Sequence, residues 1–378
     1  MTLPLTPGLP APPDQPAPSA VDFPLSWILD KAAAPLQYRA TIEVARLAVP
    51  NAGMFAALPY SYEPAIRLAL MQQPDGTWDR AMFTVPSVRS PQLMQGVGTI
   101  SAVRRLLEYG WDAESPPLLQ SRRILFRLLA EDDDPSYLFE LAPRGKPGIE
   151  AVRHGRAILR EAAAATLAQA GYERDPRLRG AARRIIERME SYLRSPNAQK
   201  PFVRVGNQHV LAPDSAPPSF YTLVMLAYMP LLRSEHYGFM ELLYQHLSQP
   251  APRPVPASVV GKQIVREPHL VLGDPLPHRN AADADVPAAL MWLELFARLD
   301  LLRRNEGWTK LFERFLDDRD AMGVWRPPKR TAVLKSANPH VWPSFPLESQ
   351  TTGDERWSDV TFRLGLIARL SGRAIELV

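Results

Sequence analysis

The chain has 378 residues, no cysteine, and a formal charge of +4 from 44 basic and 40 acidic side chains. Neither a disulfide nor a thiolate metal site can form, which suits a reducing cytoplasm. The 37 arginines are interleaved with acids rather than gathered, so no basic face for nucleic acid stands out.

Residues 1–24 (MTLPLTPGLPAPPDQPAPSAVDFP) read as a Pro-rich arm, with neither the basic start nor the apolar stretch of a secretory signal. Five apolar segments follow, beginning at Thr99, Arg160, Ser219, Asp285 and Asp359, each expected to be an inner helix paired with a more polar outer one. Ala163 to Ala168 is small and apolar on nearly every side, as in a helix buried all round. Pro176 to Arg194 instead sets Leu178, Ile185, Ile186, Met189 and Leu193 on one face against Arg and Glu on the other, an outer helix. Phe220 to Leu232 is the longest apolar run; it is too short to span a bilayer and contains Pro230, so no transmembrane segment is expected.

Pro-rich connectors occupy roughly residues 195–218, 250–282 and 326–356, and their Val259, Val260, Ile264, Val271, Val341, Trp342 and Phe345 suggest that they pack over the helices. No Asn-Gly or Asp-Gly turn separates alternating apolar runs, so β structure is expected to be nearly absent. The pattern predicts an all-α, single-barrel α/α-toroid over residues 25–378, a ring of helical hairpins in inner and outer layers.

Two segments carry a resemblance. LALMQQPDGTW has Leu68, Gln72, Gly76 and Trp78 at the spacing of the QW motif, and KLFERFLDDRDAMGVW has Lys310, Phe315, Gly323 and Trp325, with Arg319 in place of the glutamine. Such a motif ends a helix: a long polar side chain meets free carbonyls, glycine turns the chain, and tryptophan packs across the break. The chain thus resembles the squalene and oxidosqualene cyclases, within the terpenoid-cyclase and protein-prenyltransferase superfamily. Asp283-Ala284-Asp285-Val286-Pro287-Ala288 is similar to the acid signature of class II terpenoid cyclases, although Val286 replaces the third aspartate and Pro287 the threonine. The resemblance implies Asp285 as a proton-donating acid with Asp283 beside it. Read from the residues alone, Asp285 is a helix N-cap followed by proline, a pattern that Asp359-Val360-Thr361 repeats.

Glu131-Asp132-Asp133-Asp134 reads as a solvated turn, and the seven histidines form no metal-ligand pair, so no metal or cofactor is expected. Without cysteine the zinc site of protein prenyltransferases cannot be built. Trp292, Trp342 and Phe345 are the aromatics expected to line an apolar cavity. Three functional readings stay open. The first is a protein that binds an isoprenoid or other apolar small molecule. The second is a class II-like cyclase or isomerase that uses Asp285. The third is a non-catalytic scaffold for an unidentified protein partner.

Overall fold

The computed structural model describes residues 19–47, 55–87, 94–141, 147–276, 282–327 and 334–378. Residues 1–18 of the expected arm and His278 lie outside them. The arm's last residues form β1 (Val21–Phe23), which pairs in parallel with β6 (Ile375–Leu377) and so ties the two ends of the domain together.

Fourteen α-helices occur among the described residues. The early ones are α1 (Leu25–Lys31), α2 (Ala34–Arg39, continued by a π-helical turn over Ala40–Ala45), α3 (Leu58–Ser61), α4 (Glu63–Leu70), α5 (Thr99–Glu108) and α6 (Pro116–Leu128). The middle of the chain forms α7 (Ile149–Gln169), α8 (Pro176–Arg194), α9 (Phe220–Ala227), α10 (Pro230–Glu235) and α11 (Tyr237–Leu247). The last three are α12 (Val286–Arg298), α13 (Glu306–Asp317) and α14 (Ser358–Leu370). Helix α7 packs on α5, α6 and α9, α9 on α12, α12 on α14, and α14 on the π-helical turn. Burial follows the sequence pattern: Ala162 to Ala165 of α7 are fully buried, whereas α8 buries only the face bearing Leu178, Ile185, Ile186 and Met189.

The all-α, α/α-toroid, single-barrel expectation is corrected. The chain is about half helical and, among the described residues, also holds six strands in three two-stranded sheets, a mixed helical and β-containing architecture. Besides β1–β6, there are two antiparallel hairpins, β2 (Phe202–Val205) with β3 (Gln208–Leu211) and β4 (Ala257–Val260) with β5 (Gln263–Arg266). Both fall within the Pro-rich connectors 195–218 and 250–282. Each turns on Gly-Asn or Gly-Lys, with Gly206 at φ 59° and Gly261 at φ 61°, so the glycine comes first rather than second in the two-residue turn. The β-branched flanks, Val203-Arg204-Val205 and Val259-Val260 facing Ile264-Val265, then pair as a short ladder.

The two QW-like segments fold alike. Gln73 N–H donates to Thr77 O, and Asp320 N–H to Val324 O. Gly76 (φ 88°) and Gly323 (φ 81°) turn the chain. Trp78 N–H donates to the Thr99 hydroxyl and Trp325 N–H to that of Thr361, both 3.1 Å, which fastens each turn to the start of the next buried helix. Trp78 Nε1 caps the end of α4 at Leu68 O (2.8 Å). Gln72 instead reaches across to α6, at Pro117 O and Ser121 Oγ, while Arg319, just past α13, donates back to Leu316 O of that helix.

A closed ring of alternating charge occupies the interior. Arg39 meets Glu108 and Glu43, each at 2.5 Å; Arg363 meets Glu108 (2.9 Å) and Glu294; Arg298 meets Glu294 (3.0 Å) and, more loosely, Glu43 (3.7 Å). These six side chains come from α2 and its π-helical extension, α5, α12 and α14. Burial pushes the Glu108 carboxyl up, but Arg39 and Arg363 outweigh it and hold it well below the usual carboxylate range; the same balance lowers Glu294. Glu108→Gln leaves two buried guanidinium groups short of a partner, and is expected to cost about 3–5 kcal/mol in urea unfolding at neutral pH. Because the folded-state values are depressed, this stabilisation is complete above the unfolded value of about 4.3 and drains away as pH falls below it. Native protein should therefore lose stability below about pH 4 more steeply than Glu108→Gln does. Parallel acid limbs would contradict the ring's role.

Candidate functional site

A cavity of about 800 Å³ opens where the N-terminal halves of α5, α7 and α9 meet the β4–β5 hairpin. Its walls are mainly apolar, with Phe83, Ile100, Ile149, Ile158, Val260 and Val265 among them. That size and lining suit a small organic molecule.

Local structure sets this geometry. Gly98 opens α5, and a Cβ there would fall 2.4 Å from the Met82 backbone, so only glycine lets segment 81–84 lie against the helix start. The carbonyls of Ala81, Met82 and Thr84 then accept the N–H groups of Thr99, Ile100 and Gly98. Glu140 holds the same segment from its other side: its carboxylate accepts from the N–H of Met82, Phe83 and Thr84 and from the Thr84 hydroxyl. Ser101 donates to Phe83 O (2.9 Å), so its hydroxyl is already engaged. At α9, Ser219 and Thr222 form a capping box, and Ser219 also donates to Glu161, whose carboxyl burial pushes up.

The polar groups of the cavity come from separate parts of the chain. Glu267, 2% exposed, stands between two histidines: His154 Nε2 lies 2.9 Å from its Oε1, without the alignment of a hydrogen bond, and His269 Nδ1 lies 3.6 Å from its Oε2. His340 stacks on Phe220 (4.4 Å between centroids) and meets Tyr221 edge-on at 5.3 Å. Burial drives His269 down to about 4, with the Glu267 charge opposing it, and burial together with His269 and Arg104 drives His340 to about 3. Among the described residues no group of three His, Asp or Glu side chains is placed to hold a metal ion.

The residues singled out from sequence lie elsewhere. Asp285 caps its own helix, accepting from Ala288 N–H (3.0 Å) and from the Ser336 hydroxyl (2.7 Å), and Asp283 pairs with Arg314 at an exposed position. Neither lines the cavity. The parallel cap expected at Asp359 does not form: α14 begins one residue earlier, and the buried Asp359 carboxylate accepts from Leu347 and Glu348 N–H instead. Trp292 is buried edge-on against Phe220 and does not line the cavity. Trp342 sits under Arg105, which also donates to its carbonyl, and Phe345 is buried beyond it; neither lines the cavity. Glu131 to Asp134 pair with Arg184, Arg156, Arg153 and Arg127 respectively, a surface turn tied by ion pairs.

No family model, curated protein or solved structure matches the chain.

The two depressed histidines give a direct check. Neutral in the folded state but basic when unfolded, they contribute stability that is full above about pH 6.5 and is lost as pH falls toward their folded values. NMR titration, assigned with His269→Gln and His340→Gln, should show both imidazoles still neutral at about pH 5.5, a full unit below the ordinary histidine value. Titration of either near 6.5 would mean that the cavity wall is open to water.

Proposed function

We propose that this protein binds an apolar small molecule, isoprenoid-like in size, in the cavity between α5, α7, α9 and the β4–β5 hairpin. One observation carries the reading: about 800 Å³ of mainly apolar space walled by Ile100, Ile158 and Val265. Empty space of that kind forfeits dispersion contacts unless something fills it, so burial of an apolar ligand there is favourable. The likeness of residues 68–78 and 310–325 to cyclase motifs agrees with such a ligand in kind. Among the described residues no helix is long and apolar enough to cross a membrane. The cysteine-free sequence suits work in the cytoplasm. The cyclase reading at Asp285 and the scaffold reading rest on the sequence alone.

Fluorescence titration with an apolar dye, followed by displacement with geranylgeraniol, tests the proposal. Saturable binding of one dye per chain is expected, with full displacement and loss of both in Ile158→Trp, whose indole would occupy the space. Absence of dye uptake, or uptake that Ile158→Trp leaves unchanged, would overturn it.

A further inference from the structure

Arg104 is the buried cation of this cavity, 7% exposed, and among the described residues no carboxylate lies within 4 Å of it. The acid one turn along α5, Glu108, is already held by Arg39 and Arg363. Arg104 Nε donates to Gln169 Oε1 (3.0 Å), and Gln169 passes its own amide to Glu108 (2.8 Å). Nη1 and Nη2 make no hydrogen bond to any described residue. The guanidinium carbon lies 5.3 Å from the Phe220 ring centroid, a contact with an aromatic face that offers no negative charge to neutralise it.

A second donor lines the same cavity. Tyr221, 6% exposed and in the same lining, makes no hydrogen bond through its hydroxyl to any described residue. Burial pushes that hydroxyl up, and the guanidinium of Arg104 is near enough to oppose the shift. The one carboxylate whose charge reaches Arg104 among the described residues is Glu108; the cavity's buried acid, Glu267, faces His154 and His269 instead. A buried guanidinium and a buried phenol, both with donors unspent and both facing one apolar cavity, form an anion-binding pair.

We propose that Arg104 and Tyr221 clamp the carboxylate of an amphipathic monocarboxylic acid whose apolar body fills the cavity between Ile100, Ile158 and Val265. This rests on the reading of the cavity as an apolar-ligand site and adds the headgroup. One negative charge fits better than two: the other cations of the lining, Lys262 and Arg266, are exposed on the hairpin, and Glu140, Glu150 and Glu267 share the same walls. A guanidinium takes a carboxylate bidentately, and the tyrosine hydroxyl adds a third donor.

Displacement of the bound dye by tetradecanoate, tetradecan-1-ol and tetradecyl phosphate tests the clamp on the full chain at pH 7.5. The acid should bind at least about tenfold more tightly than the alcohol, the gain expected of one charge-assisted contact in a dry site. Arg104→Gln should bring the acid down to the alcohol's affinity while leaving the alcohol unchanged. Arg104→Lys should keep part of the preference, and Tyr221→Phe should lose a few-fold of acid affinity alone. Thermal melting of ligand-free Arg104→Gln should be no lower than native, since the arginine forms no internal ion pair. Equal binding of acid and alcohol by native protein, or an acid preference that survives Arg104→Gln, would overturn the clamp while leaving apolar binding intact. Tighter binding of the phosphate than the acid would overturn the single-charge assignment. Failure of all three to bind would overturn the clamp together with the cavity's role.

Discussion

Three arginines and three glutamates in alternation, Arg39–Glu108–Arg363–Glu294–Arg298–Glu43, close a ring inside the protein in which only Glu43 keeps substantial access to water. Taking the other five charges out of solvent is costly, and the cost is offset only while every partner stays in place. The ring therefore acts as a register. It joins α2, α5, α12 and α14 at fixed points along their lengths, and through Gln169 it reaches the end of α7 as well. Sliding any one of these helices by a turn would strand a charge.

That register decides what happens at the other end of α5. Glu108 is consumed by the ring, so Arg104, one turn earlier, has no acid to pair with among the described residues. The same helix thus carries a neutralised charge in the interior and an uncompensated one in the cavity wall. Around it the N-terminal halves of α5, α7 and α9 come together, and the free N–H groups of α5 and α9 are met by segment 81–84 and by the Ser219 capping box, respectively. The β4–β5 hairpin closes the side with Val260 and Val265 toward the cavity, while Val259 and Ile264 remain exposed. The period-two alternation of a strand is what divides those four residues.

The helical content was legible because the signals are local. The alanine run of α7, the one-sided stripe of α8 and the Asp285 cap each lie within a few residues of chain, and each is found in place. The hairpins were missed because glycine precedes its partner in both turns, Gly206-Asn207 and Gly261-Lys262, and a search for Asn-Gly or Asp-Gly passes over that order. Asp359 reads locally as a cap because it precedes an apolar helical segment. Its carboxylate turns instead to a loop that only the fold brings near. The charge ring and the cavity leave no local trace at all: Arg39 and Glu108 are 69 residues apart, and Glu108 and Arg363 are 255. His154, Glu267 and His340 likewise come from three distant segments. The one available hint was a run of Glu267-Pro268-His269, polar and titratable, inside a connector otherwise read as packing material.

A crystal structure of the protein grown with a long-chain carboxylic acid brominated at its far end would test the central claim most directly, because anomalous scattering locates the tail and density locates the head. The account predicts one molecule per chain, its carboxylate within hydrogen-bonding distance of Arg104 and Tyr221 and its bromine among the apolar walls of the cavity. Bromine elsewhere on the protein, or a cavity closed by its own side chains with Arg104 turned to another partner, would contradict it.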